Sequence, residues 1–237
     1  MIQKLQPTSV QAIVFDAVGT LIHPNPPAPI VYADVGRCFG SQRTAAEILP
    51  RFVTAFAAEE AIDIANGLRT SEAREIERWR RIVAQVLDDC TDGDACFHEL
   101  FEHFRRPESW CCDPTAATTI KTLSRHGYAL GLASNYDQRL RTVAAGLAPS
   151  QLLQSLIISS EVGWRKPAPQ FFQAVCQALS LPPEAILYVG DDPANDFEGA
   201  RAAGLHAVLL DPKGKYRHHQ ATSIRVLSEL IDDECFA

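Results

Sequence analysis

The segment AIVFDAVGTL, residues 12–21, decides the fold of this protein. It begins with four apolar residues, which predict a buried strand over 12–15, and it continues into small and polar residues that begin with Asp16. Four later apolar runs have a similar form, namely ALGLAS (129–134), SLIIS (155–159), AILYVG (185–190) and HAVLL (206–210). Helical stretches lie between the strands, at about 115–126, 137–147, 168–180 and 194–203. This alternation predicts an α/β protein with a doubly wound, Rossmann-like parallel sheet.

Residues 24–108 interrupt this alternation, because they show only helical periodicity. The proline-rich segment HPNPPAP at 23–29 would form the exit from the core, and the segment RRPESW at 105–110 would form the return. We therefore predict an inserted, all-helical cap domain. The predicted division is an α/β core domain over 1–23 and 109–237 and a helical cap domain over 24–108.

The composition of the 237-residue chain excludes several classes of function. Hydrophobic residues make up 46% of the chain, which is enough for a substantial core. The formal charge of -7 argues against a nucleic-acid partner, which requires a basic excess. Seven cysteines without a CxxC pair favour reduced thiols over disulfides or a zinc cluster. Without a signal-peptide core or an apolar run near the roughly 20 residues that cross a bilayer, we expect a cytoplasmic monomer or homodimer with no membrane partner.

Polar residues follow the predicted strands and form one candidate surface, because ligands bind open α/β sheets at the carboxyl ends of the strands. Each such residue alone could cap a helix or form a turn. Together, at consecutive strand ends, they predict a functional site. They are Asp16, Gly19 and Thr20 after the first strand, Ser134 and Asn135 after the second, Lys166 beyond the third, and Asp191, Asp192 and Asp196 after the fourth.

Four motifs occur in order along the chain: FDAVGTL, ASN, the lysine of WRKPAPQFF, and GDDPAND. By these motifs the sequence resembles the haloacid dehalogenase superfamily. The resemblance covers nearly the whole chain. The DAVGT form of the first motif and the SSEVGWRKP stretch are most similar to the subgroup with a helical cap inserted after the first motif, which accounts for the helical insertion.

The resemblance implies a hydrolase in which Asp16 is the nucleophile and forms a covalent aspartyl intermediate that water hydrolyses. It also implies magnesium, held by Asp16, the backbone carbonyl of Val18 and Asp191, a set that suits the preference of this ion for hard oxygen ligands. Lys166 would stabilise the negative charge shared by Asp16 and a substrate phosphate. Ser134 would hydrogen-bond a phosphate oxygen. The implied substrate is a small phosphorylated metabolite.

The remaining motif residues would support this centre. Gly19 and Thr20 fit a tight turn that brings backbone amides near the substrate, and Asn135 would also contact the substrate. Asp192 or Asp196 would orient metal-bound water and the lysine without binding the metal directly. Asp196 could equally complement the N-terminal dipole of its own helix.

One position departs from the family pattern. Most phosphatases of this superfamily carry a second aspartate two residues after the nucleophile, where it acts as general acid and base, whereas this chain has Val18. The loss of such a group lowers a rate roughly 100- to 10,000-fold. A phosphatase with Val18 would need a substrate with a good leaving group, or a proton donor such as His23 or a cap residue.

Two other functions stay open on the sequence. A metal-independent 2-haloacid dehalogenase also lacks the second aspartate, and Arg37 or Arg43 could then hold the substrate carboxylate, but Asp191 and Phe172 do not match that branch. A catalytically weak pseudoenzyme could bind a phosphorylated ligand or a partner through the cap. Phosphonatase chemistry requires a cap lysine, and residues 24–110 contain none.

The predicted cap is rich in arginine. Because Glu72, Glu75 and Glu77 are interleaved at helical pairing distance, we predict that most of these arginines lie on a solvated helix face. Trp79 and Trp110 are predicted to pack in the core. The arginines are Arg74, Arg78, Arg80, Arg81, Arg105 and Arg106.

Overall fold

A six-stranded parallel sheet forms the α/β core. The computed structural model describes residues 10–148, 150–216 and 222–231. The order across the sheet is β5-β4-β1-β6-β7-β8, and all neighbouring pairs are parallel. All five predicted strands are present, so the predicted α/β class is confirmed. In chain order, the strands are β1 (Ala12–Phe15), β2 (Ile22–Pro24), β3 (Trp110–Cys112), β4 (Ala129–Ser134), β5 (Ser155–Ile158), β6 (Ile186–Gly190), β7 (His206–Leu210) and β8 (Ser223–Ile224).

Helices connect the strands and make up the insertion. The α-helices are α1 (Ala28–Cys38), α2 (Ala45–Ala65), α3 (Glu72–Val86), α4 (Gly93–His103), α5 (Ala116–Arg125), α6 (Arg139–Gly146), α7 (Ser159–Val162), α8 (Pro169–Leu179) and α9 (Gly199–Ala202). Short 3₁₀ turns lie at Pro107–Ser109, Ser150–Leu152, Pro183–Ala185 and Leu227–Ile231. The single helix predicted over 194–203 is instead a π-helical turn, Pro193–Glu198, followed by α9.

β1 is buried along its whole length, as a central strand of a parallel sheet requires. Its side chains alternate between two hydrophobic clusters, with Ile13 and Phe15 in one and Ala12 and Val14 in the other. Helices therefore cover both faces of the sheet. This double burial explains why the strand consists of four consecutive apolar residues.

A small antiparallel ribbon stands where the chain leaves the core and returns to it. β2 pairs with β3, with His23 opposite Cys111. Neither of these three-residue strands nor the two-residue β8 was predicted, because such short strands show no measurable periodicity. Between β2 and β3 the chain forms helices and their connecting segments, with one isolated β-bridge from Arg69 to Trp164 of the core. The boundaries of a separate cap domain stay a prediction.

Local capping chemistry starts the helices of the insertion. At the N-terminus of α2, Thr44 and Glu47 form a reciprocal capping box. Ser71 accepts a hydrogen bond from the backbone of α3, and Asp92 accepts one from the backbone of α4. These caps satisfy N–H groups that have no partner within the helix.

Two of the six cap arginines do not lie on the solvated face that we predicted. The side chains of Arg74 and Arg78 are 18% and 5% exposed, and both pair with Asp63 of α2. Arg165 of the core pairs with Glu75 and lies 3.5 Å from Asp63. The prediction was made for most of the six, and it holds for the other four, whose side chains are 36–56% exposed. Arg74 and Arg78 are exceptions because spacing along one helix does not reveal a charged partner on a facing helix. This ion cluster joins the helical insertion to the core.

Neither a disulfide nor a membrane-spanning helix occurs among the described residues. The six cysteines in these ranges are free thiols, and Cys235 lies outside them. None of the described helices is both long and apolar enough to cross a bilayer. Trp110 is buried in the larger hydrophobic cluster and Trp79 packs against it, as predicted.

Candidate active site

The polar residues that follow β1 and β6 meet at the centre of the sheet. These strands are parallel neighbours, with Phe15 opposite Val189. The chain leaves β1 towards β4 on one side and leaves β6 towards β7 on the other, so a crevice opens between their carboxyl ends. Asp16 and Asp191 follow these two strands directly and flank this crevice.

Lys166 joins two carboxylates in the crevice. Its Nζ donates to Asp16 Oδ1 and to Asp196 Oδ1, each at 2.6 Å. The lysine is 4% exposed. Burial alone would lower the pKa of Lys166, but the charges of Asp16 and Asp196 outweigh it and raise that pKa well above its usual range. The ammonium group is therefore a fixed positive charge beside Asp16.

Asn135 holds the backbone of the lysine in place. Its side-chain oxygen accepts from the Lys166 N–H at 2.7 Å, and its side-chain nitrogen donates to the Lys166 carbonyl at 3.1 Å. Sequence analysis assigned Asn135 to substrate binding. In the structure Asn135 lies at the site, and its side-chain amide bonds to the backbone of Lys166.

Asp191 lies in a tight space formed by the first motif. Thr20 Oγ1 donates to Asp191 Oδ1 at 3.3 Å. Gly19 has φ +94°, and a Cβ there would overlap the Asp191 carboxylate, so the position requires glycine for both conformation and space. Burial and the charge of Asp16 raise the pKa of Asp191 to about 6. Gly19 and Thr20 thus shape the pocket around this carboxylate.

Asp192 and Asp196 take different roles. Asp192 caps the π-helical turn, where its Oδ1 accepts from the N–H groups of Ala194 and Asn195, each at 2.9 Å. Asp196 bonds to Lys166 and also accepts from the Asp192 N–H at 3.0 Å. Of the two alternatives predicted for orienting the lysine, the structure therefore selects Asp196. Asp192 caps the π-helical turn that contains Asp196.

The acidic residues of the crevice fit a hard divalent cation. Oxygens of Asp16, Asp191 and Asp196 lie within 4.8 Å of one another. Asp196 is 2% exposed and its charge is matched by Lys166, whereas Asp191 makes no ion pair within the described residues. Three carboxylates beside a single lysine leave a net negative charge in the crevice, and carboxylate oxygens of this kind are ligands that suit magnesium.

A cavity of about 550 Å³ opens in front of these groups. Ser134 is buried in its wall, and its hydroxyl makes no hydrogen bond within the part of the chain that is described, so it is available to a ligand. Val18 also lines this cavity. The position that would carry the acid/base in most family phosphatases thus presents an apolar side chain to the site.

Four charged residues in the wall of this cavity were not assigned to the site from the sequence, namely Glu60, Asp63, Arg78 and Arg165. Arg165 precedes Lys166 in the third motif, and that adjacency could have identified it. Arg78 and Glu60 come from α3 and α2, and only the packing of the insertion against the core brings them here. The Glu60 carboxylate makes no ion pair or hydrogen bond with any described residue.

Other candidates lie away from the site. Neither Arg37 nor Arg43 lines the cavity: Arg37 pairs with Asp34, and Arg43 pairs with Asp88. His23 is in β2 and is also absent from the cavity wall. The site therefore uses none of the three residues proposed from the sequence for binding a substrate carboxylate or donating a proton.

The fold and site together define a hydrolase with an α/β core, a helical insertion and a carboxylate-centred active site. The family model for haloacid dehalogenase-like hydrolases matches residues 10–204, and the chain belongs to this family.

Similar proteins include both phosphatases and dehalogenases. A phosphoserine phosphatase from Thermus thermophilus is 30% identical over 85% of this chain and 89% of its own length. The haloacid dehalogenase-like hydrolase domain-containing protein 3 of Bos taurus is 25% identical over 98% of this chain and 95% of its own. The structure of L-2-haloacid dehalogenase from Xanthobacter autotrophicus shares the fold, with a TM-score of 0.74 and 15% identity over 93% of this chain and 96% of its own.

Proposed function

We propose that this hydrolase is a magnesium-dependent phosphatase that cleaves a small phosphorylated metabolite through an aspartyl-phosphate on Asp16. The observation that carries the proposal is Asp191, a half-buried carboxylate beside Asp16 that forms no ion pair with any described residue. Halide displacement by a metal-independent dehalogenase does not require a second carboxylate beside the nucleophile. The similarity to a phosphoserine phosphatase supports phosphatase chemistry.

The residues present can carry the two steps. The Asp16 carboxylate attacks phosphorus, an Asp16 O–P bond forms, and the bond from phosphorus to the leaving oxygen breaks. Water then attacks phosphorus and the Asp16 O–P bond breaks, which releases phosphate and restores the carboxylate. Throughout, Lys166 offsets the charge that collects on Asp16 and the phosphoryl oxygens, while the Ser134 hydroxyl is free to bind one of those oxygens.

Asp16, Asp191 and the backbone carbonyl of Val18 would hold the magnesium ion. When bound, it would polarise the phosphoryl group and balance its negative charge. Asp196 would act on this centre only through Lys166, whose ammonium group it holds against Asp16.

The proposal predicts phosphate release from acetyl phosphate or p-nitrophenyl phosphate that depends on added magnesium and stops with a chelator. Asp191→Ala should lower the rate by about 100-fold or more at fixed magnesium, because it removes a direct metal ligand. Asp34→Ala, which removes an exposed carboxylate of α1, is the control and should keep full activity.

Two outcomes would contradict this proposal. Halide release from 2-chloropropionate in the presence of a chelator, without phosphatase activity, would favour the dehalogenase. The positions of Arg37 and Arg43 outside the cavity argue against that function. A folded protein that binds magnesium but is inactive in both assays would favour the pseudoenzyme.

Glu60 is the residue that we assign to the proton transfer that Val18 cannot perform. It lines the active-site cavity from α2, and no described residue neutralises it. Glu60→Gln should slow the hydrolysis of ethyl phosphate about 100-fold, because ethoxide needs a proton to leave. Hydrolysis of p-nitrophenyl phosphate should slow much less, because nitrophenolate leaves as an anion.

The measurement is kcat for both substrates at saturating magnesium. Glu77→Gln on α3, where the side chain pairs with Arg81 outside the cavity, is the matched control. Equal slowing of both substrates by Glu60→Gln would show that Glu60 does not donate the proton.

A further inference from the structure

A second cavity, of about 190 Å³, adjoins the active-site cavity. The two share Val18, Phe56 and Asn135 in their walls. The second cavity therefore begins beside Val18, two residues from the nucleophile. A substrate whose phosphoryl group lies at Asp16 can place the rest of its structure there.

The wall of this second cavity is mainly aromatic. Seven of its twelve lining residues are Phe, Tyr or Trp, contributed by both the helical insertion and the core. The rings pack edge to face, for example Tyr32 on Phe52 at a centroid distance of 5.1 Å and Phe56 on Trp79 at 5.5 Å. Such a surface favours a flat, apolar ligand.

The cavity offers no free charge. Its single charged residue is Arg139, whose guanidinium donates to both oxygens of Asp137, at 2.8 and 2.7 Å, and to the Phe101 carbonyl at 3.2 Å. The charge of Arg139 is therefore compensated by Asp137, and each of its three guanidinium nitrogens already donates one hydrogen bond within the protein. A carboxylate or a second phosphate in this cavity would lose its hydration without gaining a cation.

The Tyr32 hydroxyl is a polar group in the cavity wall that has no hydrogen-bond partner among the described residues. Tyr32 is 1% exposed, and its hydroxyl makes no hydrogen bond within the described residues. By contrast, Trp110 Nε1 donates to the Phe104 carbonyl at 3.2 Å, and Tyr136 Oη reaches the same carbonyl at 3.5 Å. A buried hydroxyl without a protein partner is costly unless a ligand or water bonds to it.

The volume limits the ligand to about one ring. An apolar protein cavity of roughly 150 Å³ binds benzene. At about 190 Å³, this cavity accommodates a six-membered ring with a small substituent. A nucleobase with its sugar or a long acyl chain would exceed it.

Building on the proposed phosphatase function, we propose that the substrate is a phosphate monoester of an uncharged, ring-bearing alcohol, and that its ring binds in this aromatic cavity. The Tyr32 hydroxyl is the hydrogen-bonding group for a neutral polar substituent on that ring. The class excludes phosphorylated amino acids and hydroxy acids, whose second charged group has no partner in the cavity.

The test compares phosphate esters with alkyl leaving groups of similar basicity, so that binding and not leaving-group chemistry decides the result. For the wild-type enzyme with magnesium, kcat/KM for benzyl phosphate should exceed that for ethyl phosphate and 2-phosphoglycolate on the order of tenfold or more. Equal kcat/KM values for benzyl and ethyl phosphate, or a higher kcat/KM for 2-phosphoglycolate, would overturn the assignment of the ring to this cavity. Acetyl phosphate, which needs no cavity, reports separately on the proposed phosphatase function.

A binding measurement tests the cavity without catalysis. Trp79 and Trp110 both line it, and the chain has one other tryptophan. Benzyl alcohol should change the tryptophan fluorescence in a saturable manner, whereas ethanol should not. No saturable change would overturn the proposal even if acetyl phosphate is hydrolysed. A saturable change without acetyl phosphate hydrolysis would uphold the cavity and reject the phosphatase.

A substitution that fills the cavity completes the test. Ala28 lines it at the start of α1, and Ala28→Leu should bring the ratio of benzyl to ethyl phosphate kcat/KM close to one and weaken the benzyl alcohol signal. Ala84→Leu, at an exposed position of α3, is the matched control and should keep the ratio. Because the ratio does not depend on the fraction of folded enzyme, a retained ratio in Ala28→Leu would count against the proposal.

Discussion

Replacing Asp16 with asparagine is expected to reduce phosphate release on the order of 10⁴-fold or more. The amide is nearly the same size as the carboxylate but is not a nucleophile, so the covalent step is lost. It also carries no charge for Lys166, whose Nζ lies 2.6 Å from Asp16 Oδ1. Substrate binding should weaken far less than turnover, because Ser134 and Lys166 remain.

The measurement is phosphate release at saturating substrate and magnesium, together with mass spectrometry of acid-quenched enzyme. A phosphoryl adduct should be found on Asp16 in the wild-type protein and be absent from Asp16→Asn. Asp34→Asn, on the exposed face of α1, serves as the control. Substantial activity in Asp16→Asn, or an adduct on another residue, would reject Asp16 as the nucleophile.

Replacing Lys166 with methionine is expected to affect both stability and catalysis. The lysine compensates Asp16 and Asp196, which are 6% and 2% exposed. Removal of one partner from a buried ion pair costs about 3–5 kcal/mol, because the remaining charges stay buried without compensation. The rate should fall roughly 100- to 1,000-fold, as expected when a fixed group that stabilises transition-state charge is lost.

The double variant Lys166→Met/Asp196→Asn separates the two effects. It removes one of the uncompensated carboxylates, so the free energy of unfolding in urea should recover in part relative to Lys166→Met. The phosphatase rate should stay low, because the positive charge beside Asp16 is still missing. Recovery of activity with stability would mean that Lys166 acts only structurally.

The strands were predictable wherever they are long and buried. β1, β4 and β6 are unbroken apolar runs because helices cover both faces of the sheet. The ribbon of β2 and β3 was not predicted. Each strand has only three residues, and it forms by pairing with the other strand, which is distant in sequence. The helical insertion was predictable as helix, since its caps and periodicity are local signals.

The roles of the two late aspartates show a limit of motif reasoning. The sequence places Asp192 and Asp196 four residues apart and allows either to orient the lysine. The π-helical turn decides between them by directing Asp192 to backbone N–H groups and Asp196 to Lys166. Side-chain direction in such a turn depends on backbone geometry that residue spacing does not specify.

The sequence by itself determined the α/β class, the helical nature of the insertion and the residues of the central acid and lysine cluster. These features follow from local periodicity and from motifs at strand ends, which a parallel sheet necessarily brings to one edge. Only the tertiary structure decided that Arg78 and Glu60 face the active site and that an aromatic cavity adjoins Val18. The physical reason is that periodicity identifies the buried face of each helix, whereas the packing angle between helices decides which buried side chains surround an empty volume.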